Sequence, residues 1–391
     1  MNDAVIDVLV IGAGIHGAGI AQAAAAAGHS VGVLEQHDVA AGTSSRSSKL
    51  IHGGLRYLES GEFALVRECL AERRWLLQHA PDLVRLTPHF IPVYRDTSRR
   101  PWQLRLGLGL YALLGGLVPE VRFGTVPRHR WADLDGLRTD GLQQVFRYWD
   151  AQTDDAALTR AVALSAVRLG AELHTGARFL RAQRTGDVWT VEYRQGRQVH
   201  VGRCRVLVNA AGPWANRVLA GIRPAQPRRA VELVQGTHLV LPGVLRQGVY
   251  YTEAPADRRA VFVMPWQADR ILVGTTETPF HGEPDQVRPL PEEIDYLKDT
   301  LQHYFPAWAD GPVLSSFAGL RVLPAGEGRA FSRSRETLLH MDATGTLLTV
   351  YGGKLTAWHA TAERVMRRLH AVLPERPRRA DPRTLVLQPA D

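Results

Sequence analysis

Between Gly42 and Leu58 the chain reads Gly-Thr-Ser-Ser-Arg-Ser-Ser-Lys-Leu-Ile-His-Gly-Gly-Leu-Arg-Tyr-Leu, a dense run of hydroxyls, glycine amides and cations. Such donors suit a long, phosphate-bearing cofactor laid across the protein with its reactive ring held still. That points to a flavin more than to a freely exchanging nicotinamide. A nucleotide is expected because of what precedes the run. Gly12-Ala-Gly14-Ile15-His16-Gly17 follows the apolar segment Asp7 to Ile11 and leads into the alanine-rich stretch Ala18 to Ala27, which has high helix propensity. A second apolar run, Ser30 to Leu34, ends on Glu35. In this strand–turn–helix–strand order the glycines carry a mechanism. Gly12 allows the tight turn, Gly14 admits a pyrophosphate to the backbone, and Gly17 lets helix and strand pack closely. The helix N-terminus turns free N–H groups and a positive dipole end towards the phosphates, and Glu35 can accept hydrogen bonds from a ribose diol. The relaxed match Gly107-Leu-Gly109-Leu-Tyr-Ala112 follows arginines and a tryptophan instead of a strand, and is set aside.

Other elements must position these groups. A chain of 391 residues, 45% hydrophobic, can bury a large core in two domains. Helices are expected at Glu62 to His79, Ala156 to Leu169 and Pro291 to Tyr304. Strand pieces are expected at Glu172–His174, Trp189–Tyr193 and Val206–Val208, the last opening into Asn209-Ala-Ala211-Gly212-Pro-Trp214. Pro88, Pro92 and Pro101 divide the intervening chain into short extended pieces. Alternating strands from Val231 to Thr276 have the pattern of an antiparallel sheet. Thr346–Tyr351 returns as a strand into Gly352-Gly353-Lys354-Leu355-Thr356, which opens a helix through Leu369. The resulting expectation is an α/β protein. A discontinuous Rossmann-like domain (residues 1–80, 140–215 and 340–373) carries an inserted α+β substrate domain (81–139 and 216–339) built on an antiparallel sheet, and 374–391 is an extended tail.

Arg99 to Val118 is apolar, rich in glycine and fronted by arginines and Trp102, which reads either as a buried cap helix or as a segment lying in a membrane surface. The formal charge of +8 favours anionic partners, but no basic low-complexity run, zinc spacing or RNA-type aromatic motif supports nucleic acid or a metal site. Cys69 and Cys204 form no dithiol motif and suggest a reducing compartment. No secretion signal or membrane-spanning run is read.

With Val263-Met-Pro-Trp266, Gly274-Thr-Thr-Glu277 and Gly319-Leu-Arg321 added in order, the chain resembles the FAD-dependent glycerol-3-phosphate dehydrogenases. These are respiratory, quinone-linked flavoproteins of the D-amino-acid-oxidase-like superfamily. The resemblance runs to about Leu373; the C-terminal helical domain usual in such proteins is expected to be missing from this chain. It implies FAD with its pyrophosphate on Gly12–Gly17 and its ribose on Glu35. Thr43, Ser44 and Ser45 would meet the phosphate region, while Lys49, Leu50, His52 and Gly53 line the path to the ring. Ala177 or a neighbour would meet the adenine, the Ala211–Trp214 turn would pass close to the phosphates or ribose, and Gly352, Gly353, Leu355 and Thr356 would sit by the flavin pyrimidine. There the N-terminus of the last helix would stabilise negative charge on the reduced ring.

The same resemblance implies oxidation of sn-glycerol 3-phosphate to dihydroxyacetone phosphate, with electrons passed to a quinone. Arg56, Arg321, Arg333 and Lys354 would clamp the phosphate. His238 would take the hydroxyl proton, and Tyr57 and Thr276 would touch substrate or flavin. The expected location is cytoplasmic, peripheral on an anionic inner membrane face. The sequence departs from the family pattern at Gln235, where a basic residue is usual, and at Val322, Glu277 and Ala357. Two other readings stand beside this one: a same-fold oxidase or dehydrogenase of an amino or hydroxy acid, and a non-catalytic flavin-binding protein.

Overall fold

The computed structural model describes residues 4–325 and 336–390. Two sheets organise the chain. In the first, Val5–Ile11 lies between Val31–Leu34 and Gln198–Asn209, parallel to both, and Glu172–His174 and Leu347–Tyr351 extend the parallel set on either side. Ala177–Thr185 and Val188–Gln195 add an antiparallel flank. The helix Ile15–Ala26 packs between Asp155–Arg168 and Trp358–Leu369 and is buried almost all round. That is why its sequence has no polar face. A Cβ on Gly19 would fall 2.5 Å from the Trp358 ring, so the helices meet at close quarters there. Asp154 caps the helix Asp155–Arg168, its carboxylate accepting from the N–H groups of Ala156 and Ala157. This is the Rossmann-like α/β fold that the sequence pattern leads one to expect.

The second sheet has ten strands and is antiparallel except for the pairing of Val249–Glu253 with Val84–Tyr94. Its long members are Val231–Pro242, Ser315–Pro324, Val84–Tyr94 and Leu142–Thr153. Two differences from the sequence reading concern these strands. Val84–Tyr94 is one continuous strand, not short pieces broken at proline. Pro88 and Pro92 are four residues apart, so both imide nitrogens face the same edge. The eleven-residue ladder with Leu142–Thr153 uses the other edge, while pairing with Val249–Glu253 is confined to two positions. Leu142–Thr153 therefore runs in this second sheet, although residues 140–215 had been expected to accompany the cofactor domain. Its pairing partner lies some fifty residues upstream, a relation no local pattern reveals.

The helix Pro101–Leu114 is not a buried cap. Leu108, Tyr111 and Ala112 pack inward, while Trp102, Leu106 and Leu113, with Leu117 just beyond, are 60–66% exposed. Among the described residues no helix is long and apolar enough to cross a membrane. The tail is extended and docked against the first helix. Arg379 donates its N–H to the Ala26 carbonyl, Arg376 pairs with buried Asp7, and Leu387 is buried.

Candidate active site

A cavity of about 640 Å³ lies between the two sheets, and the Gly42–Leu58 tract runs along it. At one end Gly12, Gly14, Ile15 and His16 form the wall where the first strand turns into the first helix. Gly17 sits behind them: a Cβ there would fall 1.9 Å from the Gly12 carbonyl oxygen, so only glycine closes this turn. The Glu35 carboxylate is fixed at its strand tip by the N–H groups of Ala13 (2.8 Å) and His37 (2.9 Å). Ala177 also lines the wall, but its N–H already donates to the Glu35 carbonyl, and Arg178, Phe179 and Leu180 supply the rest of that end.

The tract divides by residue. Ser44 Oγ accepts the N–H of Ile15 at 2.9 Å, at the opening turn of the helix, and Thr43 donates to the Leu320 carbonyl at 2.8 Å. Thr43, Ser44, Leu50 and His52 line the cavity. Ser45, Lys49 and Gly53 do not, and the reason is local bonding. Lys49 is buried, donating to the Ser45 carbonyl and pairing with buried Asp155. Gly53 gives its N–H to Tyr111 Oη (3.0 Å) and Asp150 Oδ1 (3.1 Å).

Ala211, Gly212 and Trp214 form another stretch of wall, and the buried Trp214 Nε1 has no partner among the described residues. Gly352, Gly353, Leu355 and Thr356 face the cavity from a loop. The last helix begins only at Trp358, itself buried, so this loop and not the helix's first turn forms the wall. A Cβ on Gly353 would fall 2.1 Å from His16 Nε2, which brings the loop against the Gly12–Gly17 turn. Burial, with Arg364 nearby, lowers the His16 pKa to about 4.

Arg56, Tyr57, His238, Arg321 and Lys354 line the same cavity. Lys354 Nζ lies 3.6 Å over the Tyr57 ring and 3.9 Å from Cys69 Sγ. Arg321 donates to the Thr276 carbonyl (3.2 Å) and Thr275 Oγ1 (3.1 Å), and its guanidinium lies 3.6 Å from Glu277. His238 is 1% exposed, stacks on Phe317, and has Nε2 3.1 Å from Ser48 Oγ. Burial first, then the charges of Arg321 and Lys49, hold its pKa well below the usual imidazole range. Thr276 is turned away: its hydroxyl donates to Glu293 at 2.6 Å and accepts the Thr237 N–H. Arg333 lies outside the described residues.

Sequence reasoning passed over Glu293, which gathers the Gln235 amide and the hydroxyls of Thr237, Thr276 and Thr278 beneath this wall. It also gave no role to Arg259, Tyr251 or Phe262, which line the cavity too. No motif marks these residues; only the strand register brings them together.

A model of the FAD dependent oxidoreductase family matches residues 7–365. The chain belongs to this family. It is 38% identical over 378 residues to D-erythritol 1-phosphate dehydrogenase of Brucella abortus, spanning 94% of this chain and 74% of that one. Similarity to the Pseudomonas aeruginosa glycerol-3-phosphate dehydrogenase is also 38%, over 93% of this chain and 72% of the relative. Among solved structures, the FAD complex of Bacillus halodurans glycerol-3-phosphate dehydrogenase superposes with a TM-score of 0.77 at 26% identity, over 99% of this chain and 68% of that one. The protein is a flavoprotein oxidoreductase and its cofactor is FAD. The residues present fit that group. A glycine turn in which Gly12 and Gly17 leave no room for side chains sits at a helix N-terminus, a carboxylate is fixed at the second strand's tip, and an indole N–H without a partner among the described residues belongs to a residue of the same wall.

Proposed function

We propose that the protein oxidises a phosphorylated polyol, sn-glycerol 3-phosphate or a close homologue, to the corresponding keto phosphate. The observation that carries this reading is that Arg56, Arg321 and Lys354 line one cavity together with a neutral histidine. Three cations suit a phosphate dianion, and charge-assisted bonds of this kind are the strong ones. The relatives' own substrates, glycerol 3-phosphate and D-erythritol 1-phosphate, point the same way.

FAD supplies the two-electron acceptor for the hydride lost from the carbinol carbon. The chain's own residues do the rest. Arg56, Arg321 and Lys354 hold the phosphate and so fix which carbon faces the ring. Tyr57, pinned under Lys354, closes that side. His238 receives the hydroxyl proton, a role open to it because burial keeps it uncharged. Glu293 keeps the strand carrying His238 and the Thr275–Glu277 segment in register.

The electron acceptor we propose is a quinone in a lipid surface. The exposed Trp102, Leu106, Leu113 and Leu117, flanked by Arg99, Arg100 and Arg105, have the make-up of a helix lying in an anionic cytoplasmic membrane face. Anaerobic addition of sn-glycerol 3-phosphate or D-erythritol 1-phosphate to the purified yellow protein tests the reaction. Loss of visible flavin absorbance with either is expected, and no bleaching with both would refute it.

A further inference from the structure

His238 is 1% exposed, and Ser48 is the one hydrogen-bond partner its ring has among the described residues. Ser48 is half-buried, lines the cavity, and stands 3.1 Å from Nε2. The other ring nitrogen, Nδ1, is buried without a partner among the described residues. One face of the imidazole is covered by Phe317, and Gly274 crowds its Cδ2–Nε2 edge so closely that a Cβ there would fall 2.2 Å away. Phe317 and Gly274 thus cover one face and one edge of the ring, and Ser48 stands at Nε2 between the ring and the cavity it lines.

We propose that Ser48 is the catalytic residue that touches the substrate hydroxyl and relays its proton to His238 Nε2. The relay rests on the oxidation proposed above. The substrate O–H proton passes to Ser48 Oγ while the Ser48 proton passes to Nε2, so the serine is unchanged at the end of the step. The O–H electron pair closes the new C=O bond, and the hydride with its two electrons goes to FAD. His238 must start with its proton on Nδ1 and accept at Nε2, and it finishes as imidazolium. Arg321 and Lys49 oppose that charge, but a phosphate dianion seated on Arg321 offsets it. Substrate binding thus prepares the base.

Anaerobic stopped-flow reduction by sn-glycerol 3-phosphate or D-erythritol 1-phosphate tests this in the wild type, Ser48→Ala, Ser48→Thr and His238→Asn, each checked for retained FAD by its absorbance. Ser48→Ala should slow reduction by about 10²–10⁴-fold with little change in substrate half-saturation, and Ser48→Thr should recover at least about tenfold of that loss. The wild-type rate should curve against deuterium fraction, as two protons in flight require. A Ser48→Ala enzyme as fast as wild type overturns the relay alone. Slow Ser48→Ala beside fast His238→Asn overturns transfer to His238. If Ser48→Ala loses FAD, a straight-line deuterium dependence in the wild type overturns the relay. No reduction of the wild type by either polyol phosphate overturns the underlying oxidation, and the relay with it.

Discussion

The imidazole of His238 is pressed towards neutrality by burial and by two cations, Arg321 and Lys49, each partly balanced by its own carboxylate, Glu277 or Asp155. The sign follows for catalysis. A base must be unprotonated, and a pKa held well below the usual value keeps it so throughout the neutral range. Turnover per substrate should therefore be flat at and above neutrality and fall only as acid protonates the ring. A pH profile of kcat/KM checks this, and a limb at or above neutrality that disappears in His238→Asn would contradict it. Arg321→Ala removes one of the proposed charge-assisted partners of the phosphate and should raise KM by about 10–100-fold. The same change relieves His238, so the acid limb should move to higher pH. Some of this was legible in the sequence: Arg56 and Arg321 sit in glycine-flanked motifs, and both reach the cavity. Lys49 and Thr276 look equally polar on paper but turn inward, to Asp155 and Glu293. Those partners lie 106 and 17 residues away, so nothing near either residue in the chain signals the burial.

Elements explain which parts could be anticipated. Gly12–Gly17 declares itself because a tight turn, a close approach and a helix start all impose their demands within six residues. The strand Val84–Tyr94 does not, since its two prolines read as interruptions until the partner that tolerates them is known. Two predictions belong at this scale. Lys49→Met strands Asp155 in the core between the cofactor tract and the helix Asp155–Arg168, and should cost about 3–5 kcal/mol of stability. Urea unfolding of the holoprotein measures it, and Lys49→Met with Asp155→Leu should recover much of the loss. Gly353→Ala drives a methyl into His16 at a positive φ of 106°, and should weaken FAD retention on gel filtration far more than it lowers the melting temperature of the apoprotein.

At the scale of the molecule, an apolar ridge stands on one surface and the cavity lies inside. Changing Trp102 and Leu106 to aspartate removes two of the most exposed apolar side chains and should abolish co-sedimentation with anionic vesicles while leaving flavin reduction by substrate intact. Equal sedimentation of variant and wild type would count against the membrane reading. The ridge is not isolated from the interior. Tyr111 belongs to the same helix as Trp102 and Leu106, yet its hydroxyl donates to Asp150 and accepts the N–H of Gly53, in the tract that lines the cofactor cavity. A lipid surface docked on this helix, as proposed, would be coupled to FAD through Tyr111. If docking displaces Tyr111, the flavin's affinity changes by the same factor by which the flavin changes the affinity for lipid.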